Sequence, residues 1–294
     1  MLFRSKTVVA HSGEFHADDV FAVASLSLLL GKVRVLRTRD QKIINAGDYV
    51  VDVGGTYDPD KKRFDHHQVG GAGNRQNGIP YAAFGLVWKE YGEKIAGSKE
   101  VADIIDQRLV SPIDALDNGV SIAKEVFPEI RPYDISSVVG AMNPKWDEDS
   151  SKIDSIFIRV VSIAKMILQR EIKSAQAVID SQKVVTDTYH NTSDKRLIVL
   201  DRDYDWEYVL QKFPEPLYVV FPKDDNWRVK AVRAHATGFE NKKDLPVAWG
   251  GKTFGDLAHI TGVADAVFCH NKRFLASARS KEGALKLAQI ALEA

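Results

Sequence analysis

Residues 7–30 read TVVAHSGEFHADDVFAVASLSLLL and carry the strongest indication of the fold. The first four residues form a β-type apolar run. Asp18 or Asp19 can cap an apolar helix that continues through Leu30. A strand, a loop rich in polar side chains and a buried helix therefore follow one another, which predicts the first repeat of an α/β sheet.

The same alternation continues through the first half of the chain. We predict further strands at 33–36 and 49–53 and helices at 80–96, 99–109 and 111–126. Strands that alternate with helices predict an α/β fold with a doubly wound, mainly parallel sheet. Ligands of such sheets lie beyond the carboxyl ends of the strands, where His11 and Asp52 fall.

The pattern changes in the second half. One or two long helices are predicted over 152–193, and the polar run at 191–194 follows. We then predict strands at 196–200, 216–221, 227–234, 266–270 and 274–278 and helices near 253–261 and 281–293. A domain boundary near 190 would separate a first domain, 1–190, from a smaller α/β domain, 191–294.

Composition excludes several functional classes. The 40 basic residues among 294 balance 40 acidic ones, so a global basic field for indiscriminate nucleic-acid binding is absent. The single cysteine, Cys269, excludes a disulfide framework and a cysteine-rich zinc site. The N-terminal residues lack a signal-peptide pattern, and the longest apolar run is too short to span a membrane. We expect a cytoplasmic protein without membrane partners, and organelle targeting of a processed form stays open.

Histidines and aspartates cluster in four short runs: 11–19, 50–55, 63–68 and 113–119. Imidazole and carboxylate ligands without thiolate favour manganese, iron, cobalt or magnesium-like sites over structural zinc. A carboxylate can bridge two such metals at about 3.5–4 Å, as in two-metal hydrolases. A single His-x-Asp pair is more often a surface hydrogen bond, but four runs at predicted element ends indicate one metal site.

At these residues the chain resembles the DHH phosphoesterase superfamily, whose signature stands here as Asp65-His66-His67. Within it, the chain most resembles the melanocyte-proliferating-gene (Myg) exonuclease branch. The motifs that carry this resemblance are HSGEFHADDVFA at 11–22, DVGGTYDP at 52–59, RFDHHQ at 63–68, IDALDNG at 113–119, RVKAVRA at 228–234, and FCHNKRF with SKEGAL at 268–285. The resemblance covers nearly the whole chain.

The resemblance implies two divalent metal ions, most often Mn²⁺, with Mg²⁺ or Co²⁺ as alternatives. It implies that the metal ligands are His11, His16, Asp18, Asp52, His66 and Asp117, with Asp52 as the bridge. The predicted catalytic residues are Asp52, Asp65 and His67, and His67 would contact the phosphate or a metal-bound water.

The first motif departs from the superfamily pattern. Members commonly carry His-x3-Asp-x-Asp, whereas this chain has His11-x4-His16-x-Asp18. The choice between Asp18 and Asp19 therefore stays open. In the fourth motif Asp114 competes with Asp117, and Asp117 is favoured because Asp-Asn-Gly resembles the Asp-Thr-Gly of related phosphatases.

The second domain is expected to bind the substrate's anionic groups, as the resemblance implies. Residues 221–281 hold eleven Lys or Arg and six Asp or Glu, an excess of five positive charges in a neutral chain. A solvated basic face is the alternative. The predicted substrate-binding residues are Arg233, Lys252 and His270, and Lys252 follows two glycines just before a predicted helix.

Together these features predict a metal-dependent phosphodiesterase. The resemblance implies a 3′-to-5′ exoribonuclease on single-stranded RNA or short oligonucleotides, in which a hydroxide bridged by two divalent metals attacks phosphorus. The alternatives are a small-molecule phosphatase or pyrophosphatase of the DHH type and a non-catalytic, metal-stabilised binding protein. The sequence does not define the oligomeric state.

Overall fold

The computed structural model describes residues 5–124, 126–127, 129–235 and 238–294. The chain divides into two compact units, Met1–Gln176 and Ala177–Ala294. Each unit contains one five-stranded sheet, so the expected mixed α/β class is confirmed. Among the described residues, no helix combines the length and the apolar character that crossing a bilayer requires.

The first unit contains five strands and most of the helices. Its elements are β1 (Lys6–Ala10), α1 (Ala17–Leu30), β2 (Val33–Arg37), α2 (Gln41–Ala46), β3 (Tyr49–Val51), β4 (Tyr57–Asp58), β5 (Arg63–Phe64), α3 (Ala83–Ala96), α4 (Lys99–Ile105), a π-helical turn (Asp106–Val110), α5 (Ser111–Asp117), α6 (Ile135–Ala141), a 3₁₀ turn (Ser150–Lys152) and the start of α7 (Ile153–Asn191).

The first sheet is mainly parallel. Its strand order is β2-β1-β3-β5-β4, and only β4 runs antiparallel to its neighbour. The central strands β1 and β3 are apolar on both faces, as expected for strands covered by helices. The mainly parallel sheet is thus present, and the doubly wound arrangement stays a prediction.

Helix α1 is buried along most of its length. Residues 17–27 are all buried, including two aspartates, because the helix is apolar on every side. It begins at Ala17 with His16 as the N-cap residue, so the prediction that Asp18 or Asp19 is the N-cap is wrong. Asp19 instead accepts a hydrogen bond from the His16 backbone N–H at 3.0 Å, from inside the first turn.

Other differences from the predicted elements have local causes. The helix predicted over 111–126 ends at Asp117, because Gly119 takes a left-handed conformation (φ 69°) that stops it. Strands β4 and β5 and helices α2 and α6 have two to seven residues, too few for a periodic pattern to show.

Helix α7 is one continuous helix of 39 residues. It ends at Asn191, close to the boundary predicted near 190. The compact units separate earlier, after Gln176, because the last turns of α7 pack into the second unit. Val185 and Tyr189 of these turns share a core with Ile198 and Trp206.

The second unit has a mostly antiparallel sheet. Its elements are β6 (Leu197–Val199), α8 (Glu207–Leu210), β7 (Tyr218–Lys223), β8 (Asn226–Ala231), a 3₁₀ turn (Val247–Trp249), α9 (Phe254–Thr261), β9 (Ala266–Cys269), β10 (Leu275–Ala278) and α10 (Lys281–Glu293). The strand order is β6-β7-β8-β10-β9. Side chains alternate along β7, so Tyr218 and Val220 pack in a different core from Val219 and Phe221.

Phe21 of α1 tests how much the first core contributes. Its ring is fully buried, with its centroid 5.3 Å from that of Phe84. We expect Phe21→Ala to lower the free energy of unfolding by about 3–5 kcal/mol, because it leaves a cavity. The control is Phe127→Ala, the same substitution at an exposed position of this unit. Urea titration followed by circular dichroism measures both, and equal stabilities would contradict the packing described.

Candidate metal centre

The carboxyl ends of three parallel strands converge on one cavity of about 410 Å³. His11 follows β1, Asp52 follows β3, and the run Asp65-His66-His67 follows β5. The start of α1 and the end of α5 add further side chains. The cavity is lined by His11, His16, Arg39, Asp52, Val53, Gly54, Gly55, Asp65, His66, His67 and Asp117.

Asp52 lies between two imidazoles. Its Oδ2 is 3.3 Å from Nε2 of His11, and its Oδ1 is 3.3 Å from Nε2 of His66. Burial alone would raise the pKa of Asp52, but hydrogen bonds to the two histidines lower it to about 2. The residue has a left-handed backbone (φ 52°), and its N–H donates to the Phe64 carbonyl at 3.0 Å. This strained conformation directs the carboxylate into the cavity.

His11 is held by carboxylates on one side of its ring. Nε2 lies 3.1 Å from Asp19 Oδ2 in addition to its contact with Asp52. Burial would lower the pKa of His11, but these two carboxylates outweigh it and raise the pKa to about 10. Without a metal ion, the imidazolium thus supplies a positive charge that the buried carboxylates require.

Asp18, His66 and Asp117 form the other half of the cluster. Nε2 of His66 lies 3.2 Å from Asp117 Oδ2 and 3.9 Å from Asp18 Oδ2, besides its contact with Asp52. Burial, and then repulsion from Asp52 and Asp117, raise the pKa of Asp18 well above its usual range. Asp18 Oδ1 is buried without a hydrogen-bond partner in the described structure, so one of its lone pairs faces no donor.

These donors fit divalent cations. Three sets of side chains have ligand atoms within 4.8 Å of one another: His11 with His16 and Asp52, Asp52 with His66 and His67, and His16 with Asp18 and Asp117. Buried like charges this close are stable only with protons or cations between them. The unpartnered Asp18 Oδ1 and the mixed oxygen and imidazole set match the ligands of manganese-type ions.

Asp65 contacts the cluster through His67. Its Oδ1 lies 2.8 Å from His67 Nδ1 and accepts from the His67 backbone N–H at 3.1 Å, while Oδ2 accepts from the Gly55 N–H at 2.5 Å. The carboxylate therefore fixes the orientation of the His67 ring. The side chain of His67 is 63% exposed, so its free edge faces solvent at the mouth of the cavity.

Asp114 and Asp117 have different environments although they share α5. Asp117 faces His66, whereas Asp114 is fully buried and pairs with Arg75 Nη1 at 2.8 Å. Burial raises the pKa of Asp114 to about 7, although Arg75 acts to lower it. The structure thus places Asp117 in the cavity and Asp114 behind it.

The first turn of α3 is capped by carboxylates from elsewhere in the chain. Its N-cap residue, Ala82, offers no side-chain acceptor. Instead the N–H of Ala83 donates to Asp18 Oδ2 at 3.4 Å, and the N–H of Gly85 donates to Asp114 Oδ1 at 3.0 Å. A Cβ at Gly85 would lie 1.7 Å from Asp114 Oδ2, so the close approach requires glycine.

The predicted substrate-binding residues lie in the second unit and do not line its cavity of about 630 Å³. Arg233 lies beyond β8, with its guanidinium 5.5 Å from the Phe239 ring centroid. His270 accepts from the Lys272 N–H at Nδ1, and the Lys252 carbonyl accepts from the Cys269 N–H. The role of Arg233, Lys252 and His270 in substrate binding stays a prediction.

Some basic side chains of this unit form ion pairs with acidic side chains of the same unit. The cations that line the cavity are Lys223, Arg228 and Lys230, and they form ion pairs with Asp203, Asp224 and Glu207 respectively. These pairs are partly exposed, so each contributes at most about 1 kcal/mol.

Two arginines near the cluster were not predicted from the sequence. Arg75 lies in the loop between His67 and α3 and holds Asp114, and Arg39 lines the metal cavity. A signal for Arg39 exists, because it follows β2 much as His11 follows β1. No pattern around Arg75 indicates its distant partner.

The fold and the cluster define the class: an α/β enzyme with an aspartate–histidine centre at the ends of parallel strands. The MYG1 exonuclease family model, described as uncharacterised protein family UPF0160, matches residues 7–292, and the chain belongs to this family. The expected Myg branch is thereby confirmed. Through this membership the chain is a hydrolase that acts on phosphodiester bonds.

Curated relatives match over most of their length. A MYG1 protein of Saccharomyces cerevisiae is 30% identical over 98% of this chain and 96% of its own. A MYG1 protein of Dictyostelium discoideum is 29% identical over 96% and 95%, and the MYG1 exonuclease of Bos taurus is 27% identical over 96% and 83%. A solved structure, the pGpG-specific phosphodiesterase PggH from Vibrio, shares 11% identity and a TM-score of 0.33 over 98% of each chain, too distant a likeness to indicate function.

The Arg75–Asp114 pair gives a prediction for stability. We expect Arg75→Met to lower the free energy of unfolding by about 3–5 kcal/mol, because it leaves a buried carboxylate unpaired. A second substitution, Asp114→Asn, should restore part of the loss by removing that charge. Arg108→Met is the control, since Arg108 is more than half exposed and lies 3.5 Å from Glu171. Urea denaturation at pH 7.5 measures the wild type and these three variants.

The same pair predicts a pH dependence. In the wild type the Asp114 carboxyl is protonated up to about pH 7 in the folded state but only up to about pH 4 in the unfolded state. Its contribution to the free energy of unfolding therefore falls as the pH rises from 4 to 7, and it is constant above pH 7. Loss of Arg75 raises the pKa further, so the destabilisation by Arg75→Met should grow between pH 7 and 8.5. A constant difference over that range, or one equally large in the double variant, would contradict this assignment.

Proposed function

We propose that the chain is a metal-dependent 3′-to-5′ exoribonuclease that acts on single-stranded RNA or short oligonucleotides. One observation carries the proposal: Asp52 lies with one carboxylate oxygen at His11 and the other at His66, inside a cluster of buried aspartates. Membership of an exonuclease family supports the reaction class. The RNA substrate and the direction come from the resemblance to the Myg branch.

The proposed ligands divide into two overlapping sets. His11, His16 and Asp52 would hold one divalent ion, and their ligand atoms lie within 4.8 Å of one another. Asp18, Asp52, His66 and Asp117 would hold the other, as the resemblance implies, and Nε2 of His66 lies within 3.9 Å of all three carboxylates. Asp52 would be the ligand shared by both ions, because its two oxygens face different imidazoles. The most suitable ion is Mn²⁺, with Mg²⁺ or Co²⁺ as alternatives, since the donors are imidazole nitrogens and carboxylate oxygens. We retain membership of the DHH superfamily as part of this proposal.

Two divalent ions, when bound, neutralise charge on the phosphoryl oxygens and increase the acidity of water. The remaining steps belong to the chain's own residues. Asp65 accepts the Nδ1 proton of His67, so Nε2 of that ring is left at the solvent side to exchange a proton with the substrate or water. Val53 is the buried apolar residue of the cavity lining, whereas Gly54 and Gly55 are exposed at its rim.

The second unit is proposed to bind the phosphates of the substrate that are not being hydrolysed. Eleven basic against six acidic residues over 221–281 give it the charge that an anionic chain requires. Loss of phosphate binding in Arg233→Gln, Lys252→Gln or His270→Gln variants would support the predicted residues.

A substrate panel tests the proposal. We expect the manganese-loaded protein to shorten single-stranded RNA labelled at its 5′ end one nucleotide at a time. The other members of the panel are single-stranded DNA, dinucleotides, pyrophosphate and 3′,5′-bisphosphates. Hydrolysis of pyrophosphate or bisphosphates alone would contradict the exonuclease proposal and indicate a small-molecule phosphatase. No hydrolysis of any member would indicate a non-catalytic binding protein.

Asp52→Asn tests the bridge within the same assay. We expect hydrolysis to fall at least about 100-fold and bound manganese to decrease, because even outer ligands of metal sites contribute 10- to 100-fold. Asparagine tolerates the left-handed backbone of this position, so the fold should persist. Asp60→Asn, at an exposed position of the same unit, is the matched control.

Removal of the metal completes this test. A chelator should abolish hydrolysis by the wild type, and added Mn²⁺ should restore it. Full activity of Asp52→Asn, or of the chelated wild type with no metal detected by elemental analysis, would contradict a metal-dependent reaction.

A further inference from the structure

We propose that Arg39 is a substrate-binding residue that holds a non-bridging oxygen of the phosphodiester at the mouth of the metal cavity. The inference deepens the proposed function and rests on it for the identity of the substrate. Its first support is the position of Arg39 in the fold. Thr38 N–H donates to the Ala10 carbonyl at 2.9 Å, so the chain leaves β2 beside the end of β1, and Arg39 reaches the same sheet edge as His11.

The charges around Arg39 distinguish it from its neighbours. Three aspartates line the cavity, and Arg39 is the one lysine or arginine among the described lining residues. Arg37 is almost fully buried and paired with Asp154, and Arg75 is paired with Asp106 and Asp114. Arg39 is exposed and forms no ion pair with a carboxylate of the described chain.

The contacts of Arg39 leave most of its donors unused. Nε donates to the Ser12 carbonyl at 3.3 Å, and Nη2 lies 3.3 Å from Nδ1 of His11. A guanidinium has five N–H donors in one plane, so the fork remains available to an oxyanion. The Ser12 contact fixes the base of the fork at the cavity mouth.

The contact with His11 gives Arg39 no anionic partner. Nε2 of His11 faces Asp19 and Asp52, so this is the nitrogen that would bind a cation. Nδ1 faces the Ser12 carbonyl at 3.2 Å and Nη2 of Arg39 at 3.3 Å. Neither contact of Arg39 is with a carboxylate, so its positive charge is available to a phosphate oxygen.

The chemistry of the ligand follows from this arrangement. An anionic phosphate meets repulsion from the aspartates on every side of the cavity except where cations stand. A planar guanidinium matches two oxygens of a tetrahedral phosphate, which lysine, as a point charge, cannot do. Arg39 would therefore select phosphate esters over neutral ligands and orient the phosphorus toward the Asp52 side of the cavity.

The test measures binding of inorganic phosphate to the magnesium-loaded full chain by calorimetry. We expect Arg39→Gln to weaken phosphate binding roughly 10- to 100-fold, in line with the loss of a charged hydrogen bond, and Arg39→Lys to fall between it and the wild type. The matched control is Arg34→Gln, at an exposed arginine of β2, the strand that precedes Arg39, and this variant should bind phosphate as the wild type does.

Two further readouts separate the possible explanations. Magnesium affinity and thermal stability should be unchanged in Arg39→Gln, since Arg39 is exposed and is not a ligand. On a substrate that the wild type hydrolyses, kcat/KM should fall in the same proportion as phosphate affinity. Wild-type phosphate binding by Arg39→Gln, or a loss of magnesium that accounts for its defect, would overturn the inference. Because the calorimetry requires no turnover, failure of every substrate in the panel would overturn the proposed function and leave this test intact.

Discussion

Five aspartates lie at one edge of a parallel sheet. Four of them, Asp18, Asp19, Asp52 and Asp65, are buried where water cannot compensate their charge, and the fifth, Asp117, is partly buried. In a medium of low polarity, uncompensated carboxylates a few ångströms apart oppose folding strongly. Two raised pKa values reduce this negative charge. The raised pKa of Asp18 keeps its carboxyl protonated and neutral, and the raised pKa of His11 keeps its imidazole protonated and positively charged. Divalent ions satisfy the same requirement with more charge in less space.

The scaffold holds these charges with backbone groups and fixed cations. The N–H groups at the start of α3 reach Asp18 and Asp114, and the Gly55 N–H reaches Asp65. Arg75 neutralises Asp114, which would otherwise add a further negative charge behind the cluster. Because the parallel strands end at a common edge, these few contacts fix ligands that are far apart in the chain. Backbone groups and Arg75 thus fix the positions of these side chains without an ion, as a preorganised metal site would require.

The sequence predicted the parts of this arrangement that depend on local pattern. His11 and Asp52 were placed correctly because each follows an apolar strand, and strand ends show in a single sequence. Local pattern does not separate Asp114 from Asp117, because they lie three residues apart on one short helix and differ only in what they face, and the preference for Asp117 came from the family resemblance. The capping of α1 by His16 and the break after Asp117 are local features that a periodic pattern does not show, whereas the role of Arg75 depends on a tertiary contact. The division into compact units after Gln176 has no local pattern either, since it falls inside α7, one uninterrupted helix.

The electrostatics of the cavity also imply an order of events. With no cation bound, the carboxylates at its walls repel any phosphate, so the cavity is suited to metal ions before it is suited to substrate. A divalent ion held by these carboxylates would lower this barrier, and the Nε2 atoms of His11 and His66 that contact Asp52 would be its ligands. Protons and such an ion would compete for the same atoms, so ion binding would release protons. Under the proposed function, ion binding and substrate affinity would therefore be linked through shared atoms.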